Sequence, residues 1–204
     1  FGIYDPTASA WLALADYDLI AKTVTTHTGS ATPIRSAITY VGNSWYRISI
    51  AAATTSTGTA ATVYLYPHLN GTQSTNDAVY FWGPQFELGE SAGPYLPTTG
   101  GSAVAFYMRG LLNEVTSANK FLQSEDFNTS WTKTNITVTT NVGAITAPSG
   151  LSTADKIVED ASAGVEHRVE QTIAKASNAS ANYALSVYLK SAEKSKVALR
   201  ITNS

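Results

Sequence analysis

Short segments in which apolar and polar residues alternate recur along the chain, and this pattern constrains the fold more than any other feature. In 44–51, Tyr46, Ile48 and Ile50 fall on one side of an extended strand, because successive side chains of a strand point to opposite sides. Turns rich in Gly, Ser, Thr and Asn separate about ten such segments. The pattern predicts an all-β fold, an antiparallel β-sandwich of jelly-roll type.

The stretch 81–100 has the pattern of a domain's end. An apolar run, interrupted by Gly83 and Pro84, continues to Leu88 and predicts a last buried strand. Closely spaced Gly and Pro residues follow, and they stop any regular element. A new apolar and polar stretch, typical of a domain's beginning, opens at 119–127.

Three strings of this sequence resemble the jelly-roll (carbohydrate-binding-module-like) repeats of bacteriophage tail, fibre and other virion structural proteins. Residues 81–100 are similar to the string that closes such a module, and residues 109–133 are similar to the string that opens one. Residues 41–47 are similar to an internal strand of the same modules. The resemblance implies a jelly-roll fold and a structural role in a virion.

The closing string precedes the opening string in this chain, which is the reverse of their order in one module. We therefore expect residues 1–100 to be a closing half, 101–117 a connector and 118–204 an opening half. The chain is then either a slice through tandem modules or a circular permutation whose halves fold into one sandwich, since domain termini often lie close together. A chain that starts at Phe1 is expected to be a processed product or a fragment.

Composition removes several classes of function. The formal net charge is −2, from 13 basic and 15 acidic residues without a basic block, so we expect no nucleic-acid partner. The absence of cysteine excludes disulfides and thiolate metal sites. No apolar stretch approaches the ~20 residues that span a bilayer, so no membrane span is predicted.

No pattern of catalytic residues stands out, and we predict that the chain is not an enzyme. The three histidines accompany no serine in a Gly-x-Ser-x-Gly elbow. Acidic pairs such as Glu125–Asp126 are better explained by solvated turns than by a glycosidase site, which needs two carboxylates in a cleft. His167 shares a strand face with two valines, so we expect it to point inward and to be hydrogen-bonded.

A metal site is predicted only through the resemblance, which implies a structural Ca²⁺ near the joined termini. Glu125 and Asp126 on the opening segment, with Glu87 on the closing segment, are the candidate ligands, because Ca²⁺ prefers oxygen donors. The alternative is that Glu125 and Asp126 cap a first turn and face water. No other cofactor is predicted.

Aromatic side chains on one strand face suggest a glycan-binding surface, since aromatic rings stack on sugars while amides bind hydroxyls. In 62–69, Val63 and Leu65 face one way. Tyr64, Tyr66 and His68 face the other way and form the candidate stripe. Residues of two further strands could extend it, which gives the candidate ligand-binding set: Tyr64, Tyr66, His68, Trp82, Gln85 and Tyr188. The alternative is that these rings pack under a loop or against a neighbouring subunit.

Together these observations predict a non-enzymatic structural or adhesion module of a phage tail, fibre or surface appendage. Its expected partners are host-surface glycans and other virion subunits, with which it forms a homo-oligomer that we expect to be a trimer. Its expected location is the surface of the phage particle. The alternative function is a carbohydrate-binding module of a secreted bacterial glycoside hydrolase.

Overall fold

The computed structural model describes residues 3–5, 10–11, 13–26, 33–54, 60–67, 78–100, 103–104, 118–174 and 181–203. The elements of this described part are β-strands: β1 Ile3–Asp5, β2 Ala10–Trp11, β3 Leu14–Asp18, β4 Thr23–Thr26, β5 Arg35–Gly42, β6 Trp45–Thr54, β7 Ala60–Tyr66, β8 Ala78–Leu88, β9 Ala103–Val104, β10 Ala118–Asn119, β11 Thr132–Thr134, β12 Ile136–Thr139, β13 Asp155–Glu159, β14 Arg168–Ala174, β15 Ala181–Ser191 and β16 Lys196–Asn203.

The strands form two large sheets and a two-stranded ribbon. The eight-stranded sheet runs β11-β14-β7-β16-β1-β2, with β3 also paired to β16 and β4 paired to β3. The six-stranded sheet runs β12-β13-β8-β15-β6-β5, and β9 pairs with β10. Among the described strand pairs, β1 with β16 is the parallel one. The two large sheets pack face to face, so the predicted all-β sandwich is confirmed.

The core lies between the two sheets and follows the alternation of the strands. Val63 and Leu65 of β7 point into it from the eight-stranded sheet, and Leu185 and Val187 of β15 point into it from the six-stranded sheet. All four side chains are fully buried. A Leu- or Val-sized side chain contributes about 1.5–3 kcal/mol when it is fully buried, so these inward rows hold the sheets together.

Strands from 1–100 and from 118–204 are interleaved in both large sheets. In the six-stranded sheet β8 lies between β13 and β15, and in the other β7 lies between β14 and β16. The ribbon pairs Val104 with Ala118, so the two described residues that flank 105–117 lie side by side. Backbone hydrogen bonds therefore join the two stretches throughout, while the division into halves and its tandem or permuted origin stay predictions.

Strand β8 continues through the Gly83-Pro84 interruption as a bulge. Gly83 has φ +60, and the pairing with β15 shifts register between Ser186 and Tyr188. The extra residue reverses the alternation, so Phe81 and Phe86, five positions apart, both face the core. A strand of unbroken period two would have placed them on opposite faces.

Candidate functional site

The predicted glycan-binding residues lie on the two opposite outer faces of the sandwich. Tyr64 and Tyr66 are on the outer face of the eight-stranded sheet, since their neighbours Val63 and Leu65 enter the core. Trp82, Gln85 and Tyr188 are on the outer face of the six-stranded sheet. The structure therefore does not bring the set into one stripe, and His68 lies outside the described residues.

On the eight-stranded sheet, two tyrosines and an ion network form a surface that we call the tyrosine face: Tyr64, Tyr66, Glu166, Arg168 and Glu170. The rings of Tyr64 and Tyr66 are stacked with centroids 6.2 Å apart, and the Arg168 guanidinium lies 5.2 Å above the Tyr64 ring. Tyr64 is half-buried, whereas Tyr66 is only 4% exposed. Tyr64 is therefore the ring of this pair that a ligand can reach.

Arg168 is fixed over Tyr64 by two carboxylates. Its Nε donates to Glu170 Oε2 at 2.7 Å, and its Nη1 is ion-paired with Glu166 Oε2. Burial, the largest single cause, lowers the pKa of Arg168. The hydrogen bond and charge of Glu170 and the charge of Glu166 together outweigh burial, so the net pKa lies above the usual value. The guanidinium stays charged and is already paired with two carboxylates. It therefore holds the tyrosine face in one conformation and does not offer a site for a further anion.

Trp82 does not form an exposed platform on the opposite sheet. Its side chain is 3% exposed, and its indole N–H donates to Thr153 Oγ1 at 3.0 Å. Trp45, on the same outer face, donates its indole N–H to the Thr146 carbonyl oxygen at 2.8 Å. Both tryptophans are covered by the segment 140–154, which adds Ala147 and Ala154 to a second, smaller apolar cluster. Trp82 thus packs a loop onto the sheet.

Tyr188 and Tyr95 form the border of this second cluster, and both are half-buried. The Tyr188 ring lies 5.2 Å from that of Trp82 and 5.9 Å from that of Tyr95. Gly83 makes room for them, because a Cβ there would lie 2.9 Å from the Tyr95 ring. Burial, the largest cause, raises the pKa of the Tyr95 hydroxyl, which stays a neutral hydrogen-bonding group.

Gln85 and Glu87 hold the segment that follows β8. Gln85 accepts a hydrogen bond from the Leu96 N–H at 2.8 Å and donates to the Pro94 carbonyl oxygen at 3.0 Å. Glu87 accepts from the Gly93 N–H at 2.6 Å and from Gln85 at 2.7 Å. Both side chains are buried, so neither is a surface ligand for a glycan.

Asn119 joins the closing segment to the opening segment. Its Oδ1 accepts from the Phe86 and Phe121 N–H groups, and its Nδ2 donates to the Pro84 and Leu96 carbonyl oxygens, at 2.8 to 3.2 Å. All hydrogen-bonding capacity of this buried amide is used. Together with the bonds between Thr98 and Ser124, these contacts form a polar network that we call the seam: Gln85, Glu87, Thr98, Asn119 and Ser124.

The three candidate calcium ligands have other partners. Glu87 belongs to the seam, and Glu125 accepts from the Tyr95 hydroxyl at 3.3 Å. Asp126 accepts from the Asn128 N–H at 2.8 Å and from the Thr129 hydroxyl at 2.8 Å, which closes a turn. In the described part of the chain no three His, Asp or Glu side chains come together as a metal site. The structure does not assemble Glu87, Glu125 and Asp126 into one.

Two buried titratable groups bind backbone atoms. Asp155 accepts from the Phe127 N–H at 2.7 Å and the Asn141 N–H at 2.9 Å, and burial, which outweighs these bonds, raises its pKa to about 6. The ring nitrogens of His167 lie 2.7 Å and 2.9 Å from the carbonyl oxygens of Asn135 and Ser162. The prediction of an inward-pointing, hydrogen-bonded His167 is confirmed.

Sequence reasoning missed Asn119, Arg168 and Asp155. Asn119 opens the string that resembles a module's beginning, and that place could have marked it as structural. Arg168 follows His167 on the opposite strand face, so alternation indicated an outward cation. No signal marks Asp155, since its role depends on backbone N–H groups that are distant in sequence.

The fold defines this chain only as an all-β sandwich with covered and exposed aromatic faces. The sequence matches no protein-family model and no curated protein, and the structure matches no solved structure. Within the described ranges, no helix has the length and apolar character needed to cross a membrane.

Proposed function

We propose that the chain is a non-enzymatic jelly-roll module of a bacteriophage tail, fibre or other surface appendage, which packs against virion subunits and contacts host-surface glycans. The seam is the observation that carries this proposal. Gln85, Glu87, Asn119 and Ser124 belong to the strings that resemble phage modules, and they are buried in one hydrogen-bonded network. The resemblance therefore falls on residues with a shared structural task.

A passive mechanism fits the buried titratable groups. His167 lies against two carbonyl oxygens, and Asp155 accepts from two backbone N–H groups. These contacts use the imidazole and the carboxyl group to fix loops instead of activating a nucleophile. Recognition by such a module depends on the shape and charge of its outer faces.

The tyrosine face supports glycan contact. Tyr64 is half-buried, and its ring is ordered by contact with the Arg168 guanidinium and with the Tyr66 ring. A ring that is already ordered loses little conformational entropy when a sugar stacks on it. The carboxylates of Glu166 and Glu170 border the ring and offer acceptors for sugar hydroxyls.

Two measurements test the proposal. The chain should be detected by mass spectrometry in purified virions, and light scattering after size-exclusion chromatography should give a defined oligomer, a trimer by our expectation. On an array of bacterial surface polysaccharides, Tyr64→Ala should weaken binding to neutral glycans at least tenfold. Tyr40→Ala is the matched control, because Tyr40 is 58% exposed on the edge strand of the other sheet.

Absence of the chain from virions would overturn the virion role. Its presence in the culture medium beside a polysaccharide-degrading enzyme would favour the carbohydrate-binding module of a secreted glycoside hydrolase. If Tyr64→Ala and Tyr40→Ala bound neutral glycans equally well, the assignment of the tyrosine face would be wrong.

A further inference from the structure

Cations and aromatic rings lie side by side on the outer face of the six-stranded sheet. Strand register places Arg47 opposite Tyr188 and Lys190 opposite Trp45. Arg47 and Lys190 are therefore diagonal neighbours on adjacent strands, about 7–8 Å apart at Cα. We call this surface the basic face: Arg47, Tyr188 and Lys190.

Arg47 is incompletely satisfied by the protein. Its guanidinium lies 5.4 Å from the centroid of the Tyr188 ring, and its Nη2 donates to Ser186 Oγ at 2.8 Å. Its buried Nε has no hydrogen-bond partner among the described residues. The buried Nε is out of a surface ligand's reach, but an arginine that is oriented by stacking and holds one neutral hydroxyl through Nη2 retains its Nη1 donors for an anion.

No carboxylate of the described chain forms an ion pair with Arg47 or Lys190. Glu193, which contacts Lys156 at 3.2 Å, and Glu87 of the seam are committed elsewhere. The tyrosine face differs, because Arg168 there has two carboxylate partners. Two neighbouring cations without a counter-charge repel each other, and an anion between them would remove that repulsion.

We propose that the basic face binds an acidic glycan, a polysaccharide whose sugars carry carboxylates. This inference rests on the proposed function, of which it names the ligand class and a second contact surface. Arg47 and Lys190 hold the sugar carboxylate, Arg47 through the planar geometry that suits a carboxylate. Strand register places Tyr188 between Arg47 and Trp82, and its side chain is half-buried. The exposed part of its ring packs against the apolar face of the sugar ring.

The ligand needs both features of this surface. A neutral sugar would leave the two cations uncompensated, and a small inorganic anion would not cover Tyr188. A chain of hexuronic acids supplies both the charge and the ring face. Because the cations are half-exposed, the electrostatic part of binding must weaken with salt.

The experiment is calorimetric titration of the full chain with oligogalacturonate and with its fully methyl-esterified form, which has the same backbone without charge. We expect the acid to bind at 50 mM NaCl and to bind several-fold more weakly at 300 mM NaCl. We expect the ester to bind at least tenfold more weakly than the acid. Lys190→Gln and Arg47→Gln should each weaken acid binding about tenfold. Lys196→Gln is the matched control, since Lys196 lies on the other sheet and pairs with Asp18 at 3.5 Å.

Arg47→Gln removes a stacking contact, so its far-ultraviolet circular dichroism is compared with wild type, and Lys190→Gln carries the test if Arg47→Gln misfolds. Equal binding of acid and ester would overturn the acidic ligand while leaving glycan contact intact. Loss of acid binding in Tyr64→Ala but not in Lys190→Gln would move the site to the tyrosine face and overturn the basic one. Single-stranded DNA that binds as tightly and responds to the same variants would also overturn the glycan assignment. An array without any bound glycan would refute the adhesion role itself.

Discussion

Asp155 should make the stability of this fold depend on pH in a direction opposite to ordinary acid denaturation. The residue is 1% exposed, and burial raises the pKa of its carboxyl from an ordinary value of 3.8 to about 6. Backbone N–H bonds from Phe127 and Asn141, which lower the pKa, offset only part of that effect. A pKa shift is a stability effect whenever the unfolded chain restores the ordinary value.

The sign follows from which state binds the proton. Between pH 3.8 and about 6 the folded chain holds a proton on Asp155 that the unfolded chain has released. This contribution is therefore complete below pH 3.8 and is lost as pH rises through about 6. About 1.36 kcal/mol per pH unit over that interval gives a loss of about 3 kcal/mol. Asp18 acts in the opposite direction, since hydrogen bonds lower its pKa and its contribution disappears in acid.

Urea unfolding, followed by tryptophan fluorescence at half-unit steps from pH 4 to pH 7, measures the effect. Asp155→Asn cannot titrate, so the difference in unfolding free energy between wild type and variant should change by about 2 kcal/mol over this range, since the unfolded carboxyl is already more than half ionised at pH 4. Asp126→Asn removes a charge that raises the pKa of Asp155, so the wild-type slope should persist and end at lower pH. Parallel curves for wild type and Asp155→Asn would refute the reasoning.

Two further substitutions test the bulge and the seam. Gly83→Ala should lower the unfolding free energy by about 2–3 kcal/mol, because alanine at φ +60 is strained and its Cβ meets the Tyr95 ring; Gly143→Ala, with open space around it, should cost under about 1 kcal/mol by the same urea assay. Asn119→Ala leaves two N–H groups and two carbonyl oxygens without their partner, so a loss of about 2–4 kcal/mol is expected against less than about 1 kcal/mol for the exposed Asn128→Ala. A loss as small as that of the matched control would contradict the role given to Gly83 or to Asn119.

Alternation predicted the faces of the strands well. Tyr46, Ile48 and Ile50 share the core side of β6, and Val63 with Leu65 share the core side of β7, as the sequence indicates. Period two is a property of the extended backbone, so it can be read without knowledge of the partners. The same logic predicted an inward His167.

Alternation could not predict which sheet a strand joins. Tyr64 and Tyr188 both point away from the core, and this made one aromatic stripe plausible from the sequence. Their strands belong to different sheets, so the two rings are on opposite surfaces of the sandwich. Pairing depends on contacts between residues far apart in sequence, and no local pattern encodes them.

The burial of Trp82 under another segment could not be predicted from the local sequence either. Its alternation correctly placed it outside the core, but an outward side chain is exposed only when nothing packs over it. The segment 140–154 brings Thr153 to the Trp82 indole N–H, 71 positions along the chain. Trp82 is therefore a packing residue in the second apolar cluster and not an exposed platform for a ligand.

The seam explains why the strings that resemble phage modules carry information about the fold and none about a ligand. A buried amide such as Asn119 must satisfy four backbone groups at once, and few other side chains could do so. Residues such as Asn119 are constrained because replacing them would leave buried backbone groups without a hydrogen bond. This constraint does not depend on the residues of the outer surface. The half-buried outer residues Tyr64, Lys190 and Tyr188 carry no such constraint, so we expect substitutions there to change the proposed glycan contacts without unfolding the sandwich. The stretch 81–100 is therefore a structural joint, and the glycan contacts that we propose lie on the sheet faces beside it.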